Sequence, residues 1–181
     1  ADVMAYYSMV AMTTSAVLYL LAMVCHAVEW SAARGLPAAS PGAEAATPDP
    51  KSAASRLTVE KFGRMGVALT VIGALSHICG IVLRGVAGDR LPWGNMYEFV
   101  TSSLGFLVVA YLVLVWTRGM RWLGLLVAGL LTIGQGLAVT VFYVAVAPLV
   151  PALHSVWFII HIVAAAISGA AFNVGALASI L

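Results

Sequence analysis

Apolar residues run through five long stretches of the chain, at approximately 4–28, 65–86, 97–117, 122–146 and 155–181. Each stretch has about the 20 residues that a helix needs to cross the hydrocarbon core of a bilayer. The runs are long and unbroken, whereas the strands of a membrane barrel alternate apolar and polar residues. The pattern therefore predicts an all-α fold, a polytopic membrane bundle of about five transmembrane helices forming one domain over residues 1–181.

Residues 29–64 interrupt this pattern with a polar segment. Its middle part is rich in Pro, Ala, Ser and Gly and offers no large side chain to bury, which is typical of a flexible linker. The composition agrees with the membrane assignment, because 62% of the residues are hydrophobic and only 9% are charged, against about a quarter charged in soluble domains. A net charge of +2 gives no basis for binding nucleic acid.

Lysine and arginine are unevenly distributed between the two sides of the predicted bundle. Residues 29–64 carry five of them and the turn at 117–121 carries two, whereas the opposite side has only Arg84 and Arg90. Because cytoplasmic loops are enriched in these residues, the linker is predicted to be cytoplasmic. The amino terminus and the loops at 92–98 and 148–154 are then expected outside, in a multi-pass protein of the bacterial inner (plasma) membrane.

One face of the second stretch carries both small and ionisable residues. Glycines recur every seven residues on this face, and the ionisable members are His77 and Arg84. An ionisable residue within a membrane helix is costly unless it faces protein, water or a ligand. The glycines suit close helix packing or the flat face of a macrocycle. Arg84 could reach water or pair with a propionate, and His77 could pack or bind iron.

A second candidate face begins the fifth stretch, where His154, Trp157 and His161 follow one another at i, i+3 and i+7 and so share one side of a helix. Neutral imidazole is a good axial ligand for haem iron, and a tryptophan one turn away could shield a porphyrin. The alternative is an interfacial pair of histidines with an aromatic anchor.

The loop at 92–98 reads Pro-Trp-Gly-Asn-Met-Tyr-Glu. Trp93 is expected to anchor at the membrane interface, and Glu98 to hydrogen-bond neighbouring backbone and so hold the loop over a site. Arg90 is expected to pair with Asp89. His26 is expected to be solvated at the cytoplasmic interface. Cys25 and Cys79 lie at opposite membrane depths and are not expected to form a disulfide.

Two segments together resemble a known family. The segment 84–99, which contains Pro92-Trp-Gly-Asn-Met-Tyr-Glu98, is followed at a distance by Leu149-Val-Pro-Ala-Leu-His-Ser-Val-Trp-Phe-Ile-Ile-His-Ile162. Both segments, in this order, are similar to the CcsA/ResC family of cytochrome c biogenesis membrane proteins. The resemblance covers most of residues 75–165, and the 29–64 segment carries nothing diagnostic.

The resemblance implies a function in c-type cytochrome biogenesis. Members of this family accept haem b and present it at the outer face, where its vinyl groups are joined to the thiols of a Cys-x-x-Cys-His motif in apocytochrome c. By this resemblance the chain is part of a holocytochrome c synthetase complex with a CcsB/ResB-like membrane subunit. His161 matches the external axial histidine, with Trp157, His77, Arg84, Trp93 and Glu98 as further candidate haem contacts.

The sequence departs from the family pattern in one respect. The Trp-rich haem-handling segment and the later histidines are missing, so a truncated or partial chain is expected. Two other functions stay open on the residues alone. One is a membrane electron-transfer subunit with His77 and His161 as haem ligands, and the other is a small-molecule permease, for which the sequence lacks split helices and central charges.

Overall fold

The computed structural model describes residues 2–36 and 49–180, and within these ranges the chain is helical with no strand. Five α-helices follow one another along the chain: α1 (Asp2–Arg34), α2 (Pro50–Gly88), α3 (Met96–Arg118), α4 (Gly124–Thr140) and α5 (Val156–Ile180). Short 3-10 turns at Arg121–Leu123 and Pro151–Leu153 precede α4 and α5. All five helices are long and apolar enough to cross a membrane, which confirms the predicted helical membrane fold.

The predicted linker over 29–64 is wrong at both of its ends. Helix α1 continues to Arg34 and α2 already begins at Pro50, so residues 29–34 and 50–64 are helical. The interior of the predicted linker, 37–48, lies outside the described residues. With 39 residues, α2 is roughly 58 Å long at 1.5 Å per residue, which exceeds the hydrocarbon core of about 30 Å. Its polar first turns therefore extend beyond the apolar span.

The fourth span is shorter than the sequence predicted. Helix α4 ends at Thr140 rather than near residue 146, and the chain from 143 to 150 has no regular structure. Backbone carbonyls in such a segment need partners from elsewhere in the protein. Two arginine side chains provide them, as the site below shows.

Local signals explain where the helices end. Asn95 caps α3 by accepting a hydrogen bond from the backbone N–H of Glu98, at 2.9 Å. Gly119 terminates α3 in the left-handed conformation, with φ of 64°. Asp89 ends α2 in the same conformation, with φ of 47°, a region that aspartate enters more readily than most residues.

Helices α1 and α2 pack antiparallel through the glycine face of α2. A Cβ added to Gly73 would lie 2.8 Å from the Tyr19 ring, and one added to Gly66 would lie 2.6 Å from the His26 ring. Gly80 meets Met12 in the same way. The contact residues are seven apart on both helices, and their order along α2 is the reverse of their order along α1. The glycine face therefore packs helix against helix, and the alternative of a macrocycle seated on it is wrong.

The other helices complete the bundle around this pair. Helix α4 packs on α1, while α3 contacts α2, α4 and α5. Buried side chains from α1, α3 and α4, including Tyr19, Leu107, Tyr111 and Leu131, form the main core. Helix α5 lies on α3 and is the least buried of the five spans. The beginning of α5 is thereby set beside the loop that joins α2 to α3.

Candidate functional site at the outer end

One end of the bundle collects the end of α2, the loop 89–95, the start of α3 and the chain from 141 to 156. We call it the outer end, after the predicted orientation. Its centre is the carboxylate of Glu98, which is 1% exposed. That carboxylate accepts hydrogen bonds from Arg84 Nε at 2.9 Å, from Arg90 Nη1 at 2.7 Å and from the backbone N–H of Gly94 at 2.7 Å. A buried charge with this many charge-assisted partners stays ionised.

Arg84 is as deeply placed as Glu98, with 3% of its surface exposed. Its Nη2 donates to the carbonyl oxygen of Val144 at 2.6 Å, and its guanidinium carbon lies 5.1 Å from the Tyr97 ring centre and 5.8 Å from that of Tyr143. Two guanidinium groups face one carboxylate here, and the aromatic faces offset part of the excess positive charge. Arg84 is buried and does not reach water, so that interpretation is wrong. Its hydrogen bonds to Glu98 and Val144 favour a structural role over pairing with a propionate, which stays a prediction.

Arg90 joins the same group from the loop. It contacts both oxygens of Glu98, and its Nε and Nη2 donate to the carbonyl oxygen of Ala147 at 3.0 and 2.9 Å. The predicted pair between Arg90 and Asp89 is therefore wrong. We call Arg84, Arg90, Glu98 and the carbonyls of Val144 and Ala147 the outer clamp. Because it ties the irregular chain after α4 to α2 and α3, it also sets where α5 begins.

The loop itself is held as the sequence predicted. Glu98 bonds the backbone of Gly94, and the indole N–H of half-buried Trp93 donates to Ser102 Oγ at 3.0 Å. The backbone N–H of Trp93 also donates to Leu91 O at 2.9 Å. The loop backbone is thus fixed at several points, whereas the Trp93 side chain is fixed by one hydrogen bond to its ring.

His77 lies in the middle of the bundle, fully buried, and both ring nitrogens are engaged. Nε2 is 2.9 Å from the carbonyl oxygen of Thr101 and Nδ1 is 3.0 Å from the hydroxyl of Tyr19. A carbonyl can only accept, so Nε2 carries the proton and Nδ1 accepts from Tyr19 in the neutral ring. No lone pair is left for iron. The geometry favours the packing interpretation of His77 over ligation.

The predicted helical face of His154, Trp157 and His161 is wrong at its first member, because α5 begins at Val156 and His154 lies in the turn before it. Trp157 and His161 do share one face of α5. His154, Trp157 and His161 are all exposed, and Trp157 has 79% of its surface accessible. Within the described residues the ring of His161 makes no hydrogen bond, so a ring nitrogen is available to a ligand. An imidazole on an uncovered membrane face is costly, and this face therefore calls for protein, water or a ligand against it.

A cavity of about 320 Å³ lies beside this face, between the loop and the start of α5. Asp89, Arg90, Trp93 and His154 line it together with apolar residues of 149–159. Trp157 and His161 are not part of its wall, whereas Val156, Phe158 and Ile159 of the same helix are. We call this space the outer cavity.

The opposite end of the bundle holds a second charged cluster. The Glu29 carboxylate accepts from His26 Nδ1 at 2.8 Å and from Arg121 Nε at 2.9 Å, and Arg121 also contacts Glu60. His26 is 0% exposed, so its predicted solvated position is wrong. Its ring is wedged between Gly66 and Gly124, with its Nε2 atom buried and unpaired within the described residues. The two cysteines are free, as predicted.

The structure thus brings Arg84 and Glu98 together and places Trp93 beside them, but it keeps His77 apart from His161. Sequence reasoning missed Arg90 as a partner of Glu98 and missed Tyr97 and Tyr143 around Arg84. Arg90 lies in the loop after α2 and Glu98 lies in α3. Because no single helix or strand contains both residues, no periodicity could have paired them.

Comparisons with known proteins bear on this arrangement. No family model matches the chain, and no solved structure matches it. The chain is 31% identical over 125 residues to the cytochrome c biogenesis protein CcsA of Picosynechococcus sp., covering 66% of this chain and 35% of that protein. It is 32% identical over 126 residues to CcsA of Synechococcus sp., covering 67% of this chain and 36% of that protein. The chain therefore spans about a third of the length of these relatives, and it belongs to the CcsA family of cytochrome c biogenesis proteins.

Proposed function

We propose that the protein acts in c-type cytochrome biogenesis by holding haem b, as a substrate, at the outer end for attachment to apocytochrome c. The observation that carries this proposal is the exposed ring of His161, which has no hydrogen-bond partner among the residues that the structure describes. It lies on the face of α5 that also carries Trp157, in a chain related to CcsA proteins. A neutral imidazole in that position can bind iron axially. Trp157, one turn away, supplies an apolar surface for the macrocycle.

In this proposal, His161 binds the iron and the outer clamp has a positioning role. The outer clamp holds the chain at Val144 and Ala147, and in this proposal it helps to position the start of the helix that carries His161. The rigid positioning of a reactive group is the main contribution that a protein makes when the cofactor carries the chemistry. By resemblance, apocytochrome c with a Cys-x-x-Cys-His motif and a CcsB/ResB-like subunit are the partners. The expected location is the inner membrane, with the amino terminus and the outer end outside.

The electron-transfer alternative is weaker. It needs His77 and His161 as a pair of ligands on neighbouring helices, and both nitrogens of His77 are already hydrogen-bonded within the bundle. A permease is weaker too, because the five spans are continuous helices and lack the broken segments that transporters place at their sites.

Substitution of His161 tests the proposal. His161→Gly should remove the haem absorption band of the purified protein and abolish cytochrome formation while membrane insertion continues. Added imidazole should restore part of both, since it can enter the vacated position and bind the iron. His154→Gly is the matched control and should have the milder effect. A His161→Gly protein with an unchanged spectrum and full synthesis would overturn the role of His161.

A further inference from the structure

A pocket of about 420 Å³ lies at the end of the bundle opposite the outer end, beside the charged cluster described above. It is lined by Glu29, Val115, Gly119, Arg121 and Trp122. We call this end the inner end and this space the inner pocket. Its walls come from the last part of α1, the end of α3 and the 3-10 turn before α4.

The inner pocket lies at the depth of the lipid headgroups. A Cβ added to Gly63 would meet the side chains of both Glu29 and Arg121, so these two residues are level with residue 63 of α2. The apolar stretch of α2 begins only near residue 65. Trp122 on the pocket wall is 44% exposed, and tryptophan is enriched at the boundary between hydrocarbon and water. The phosphates of the nearer leaflet lie at this boundary.

Arg121 has hydrogen-bond donors available for an anion in this position. Its Nε donates to Glu29 at 2.9 Å, which holds the guanidinium at the pocket wall. Its two Nη atoms contact Glu60 at the longer distance of 3.3 Å, and the Glu60 side chain is 57% exposed. Exposed ion pairs of this kind contribute little. The two Nη atoms can therefore exchange Glu60 for a phosphodiester, whose paired oxygens fit the fork of an arginine.

The carboxylate of Glu29 does not exclude such an anion, because its charge is already compensated. It accepts hydrogen bonds from His26 Nδ1 at 2.8 Å and from Arg121 Nε. The indole N–H of Trp122 makes no hydrogen bond within the part of the chain that the structure describes, so the wall offers a second kind of donor. Val115 adds apolar surface next to both.

The charge around the inner pocket favours a ligand with net negative charge. Residues 29–64 and the turn at 117–121 together carry seven lysines and arginines but only four aspartates and glutamates. Basic residues at the membrane surface attract anionic lipids. A zwitterionic lipid carries an ammonium group beside its phosphate and gains less from this field.

We propose that the inner pocket binds the headgroup of an anionic phospholipid, with the phosphodiester on the Nη atoms of Arg121 and beside the indole of Trp122. This site is separate from the outer end and does not depend on haem. Glu60 is the competing anion within the protein, and the lipid takes its place on Arg121. The bound lipid links the end of α1 and the turn before α4 to the leaflet at the inner end.

Two arginines of the same turn allow a matched test. Arg121 lines the inner pocket, whereas Arg118, three residues earlier and exposed, does not. The purified protein in detergent is titrated with phosphatidylglycerol, and native mass spectrometry measures the fraction of protein that carries one lipid. Arg121→Lys keeps a positive charge beside Glu29 but loses the fork, so the affinity should fall by about tenfold. Arg118→Lys should bind phosphatidylglycerol as the unmodified protein does.

Removal of the competing anion gives the opposite sign. Glu60→Gln should bind phosphatidylglycerol more tightly than the unmodified protein, because the Nη atoms of Arg121 are then free. Phosphatidylcholine should bind the unmodified protein about tenfold more weakly than phosphatidylglycerol, and millimolar inorganic phosphate should not displace the lipid.

Three outcomes would overturn the proposal. Equal affinities of Arg121→Lys and Arg118→Lys for phosphatidylglycerol would remove Arg121 from the site. Equal binding of phosphatidylglycerol and phosphatidylcholine would show that the pocket does not select an anionic lipid. Displacement by inorganic phosphate would identify a site for free phosphate instead of a lipid headgroup.

Discussion

At the scale of single residues, Glu98 is the carboxylate that pairs with both arginines of the outer clamp. Its carboxylate balances the buried guanidinium of Arg84 and the partly buried one of Arg90, and it also accepts a hydrogen bond from the loop backbone at Gly94. Removal of one member of a buried ion pair leaves an uncompensated charge, which typically costs about 3–5 kcal/mol. The attraction between the remaining arginines and the carbonyls of Val144 and Ala147 cannot replace a negative charge.

We therefore expect Glu98→Ala to lower the free energy of unfolding by roughly 3–5 kcal/mol and to lower cytochrome yield, while the protein still inserts into the membrane. Denaturant unfolding in detergent and the amount of holocytochrome in cells measure the two effects. Glu60→Ala is the matched control, because Glu60 pairs with an arginine at the exposed side of the other end and surface pairs contribute little. Normal yield and stability in Glu98→Ala would reduce the outer clamp to simple packing.

Substitution of His77 is expected to change stability rather than haem binding, the reverse of what is expected for His161. The substitution His77→Phe leaves the Tyr19 hydroxyl buried without its partner, and one unsatisfied group costs about 1–3 kcal/mol. The Thr101 carbonyl loses its bond to His77 but keeps the hydrogen bond of its own helix. Stability should fall, but the haem spectrum should keep its shape and its amplitude per folded protein. Thermal unfolding and absorption spectra of the same preparation give both numbers. Loss of the haem band with unchanged stability would restore His77 as a ligand.

At the scale of the helices, the contact between α1 and α2 depends on the absence of side chains on one face of α2. A Cβ at Gly73 would come within 2.8 Å of the Tyr19 ring, and that ring is held by its hydrogen bond to His77 and cannot easily withdraw. Gly136 on α4 has open space around it. The same substitution at these two glycines thus separates steric packing from helix propensity.

We expect Gly73→Ala to destabilise the protein by about 1–3 kcal/mol through overpacking. Gly136→Ala should be neutral or stabilising by up to about 1 kcal/mol, because alanine lowers the entropy of the unfolded chain. Unfolding of the two purified variants under identical detergent conditions decides the matter. Equal stabilities would mean that α1 and α2 adjust freely and that the glycine face is not what brings them together.

At the scale of the whole molecule, the bundle has one charged cluster at each end, and the membrane-spanning parts of the helices between them are mainly apolar. The outer clamp lies at one end, and the cluster of Glu29, Arg121 and Glu60 lies at the other, together with most of the lysine and arginine. This polarity is the basis for the predicted orientation. The orientation in turn decides whether His161 faces the compartment in which apocytochrome c is found.

Labelling of single cysteines tests the orientation, in a background that lacks Cys25 and Cys79. Leu57 and Val150 are suitable positions because they are 73% and 58% exposed at opposite ends of the bundle. In intact cells Val150→Cys should react with a membrane-impermeant thiol reagent and Leu57→Cys should not, while a permeant reagent should label both. The reverse pattern would place the outer end in the cytoplasm and remove the basis for haem presentation there.

The sequence by itself determined the class of protein and the number of spans, because apolar runs of sufficient length have one stable solution in a bilayer. It also supplied the family, through the two segments at 84–99 and 149–162, and the local cap at Asn95. These are properties of neighbouring residues, which a linear pattern preserves. The predicted ends of the spans were less accurate, because helical turns that extend outside the bilayer have polar sequences similar to those of loops.

Only the tertiary structure decided which polar groups meet. Tyr19 and His77 are 58 residues apart and Arg84 and Val144 are 60 apart, and no spacing in the sequence relates them. Burial favours a partner for most polar groups, but the bundle geometry selects which one. That selection placed His77 in the packing, turned Arg84 and Arg90 toward Glu98, and left the ring of His161 exposed on α5.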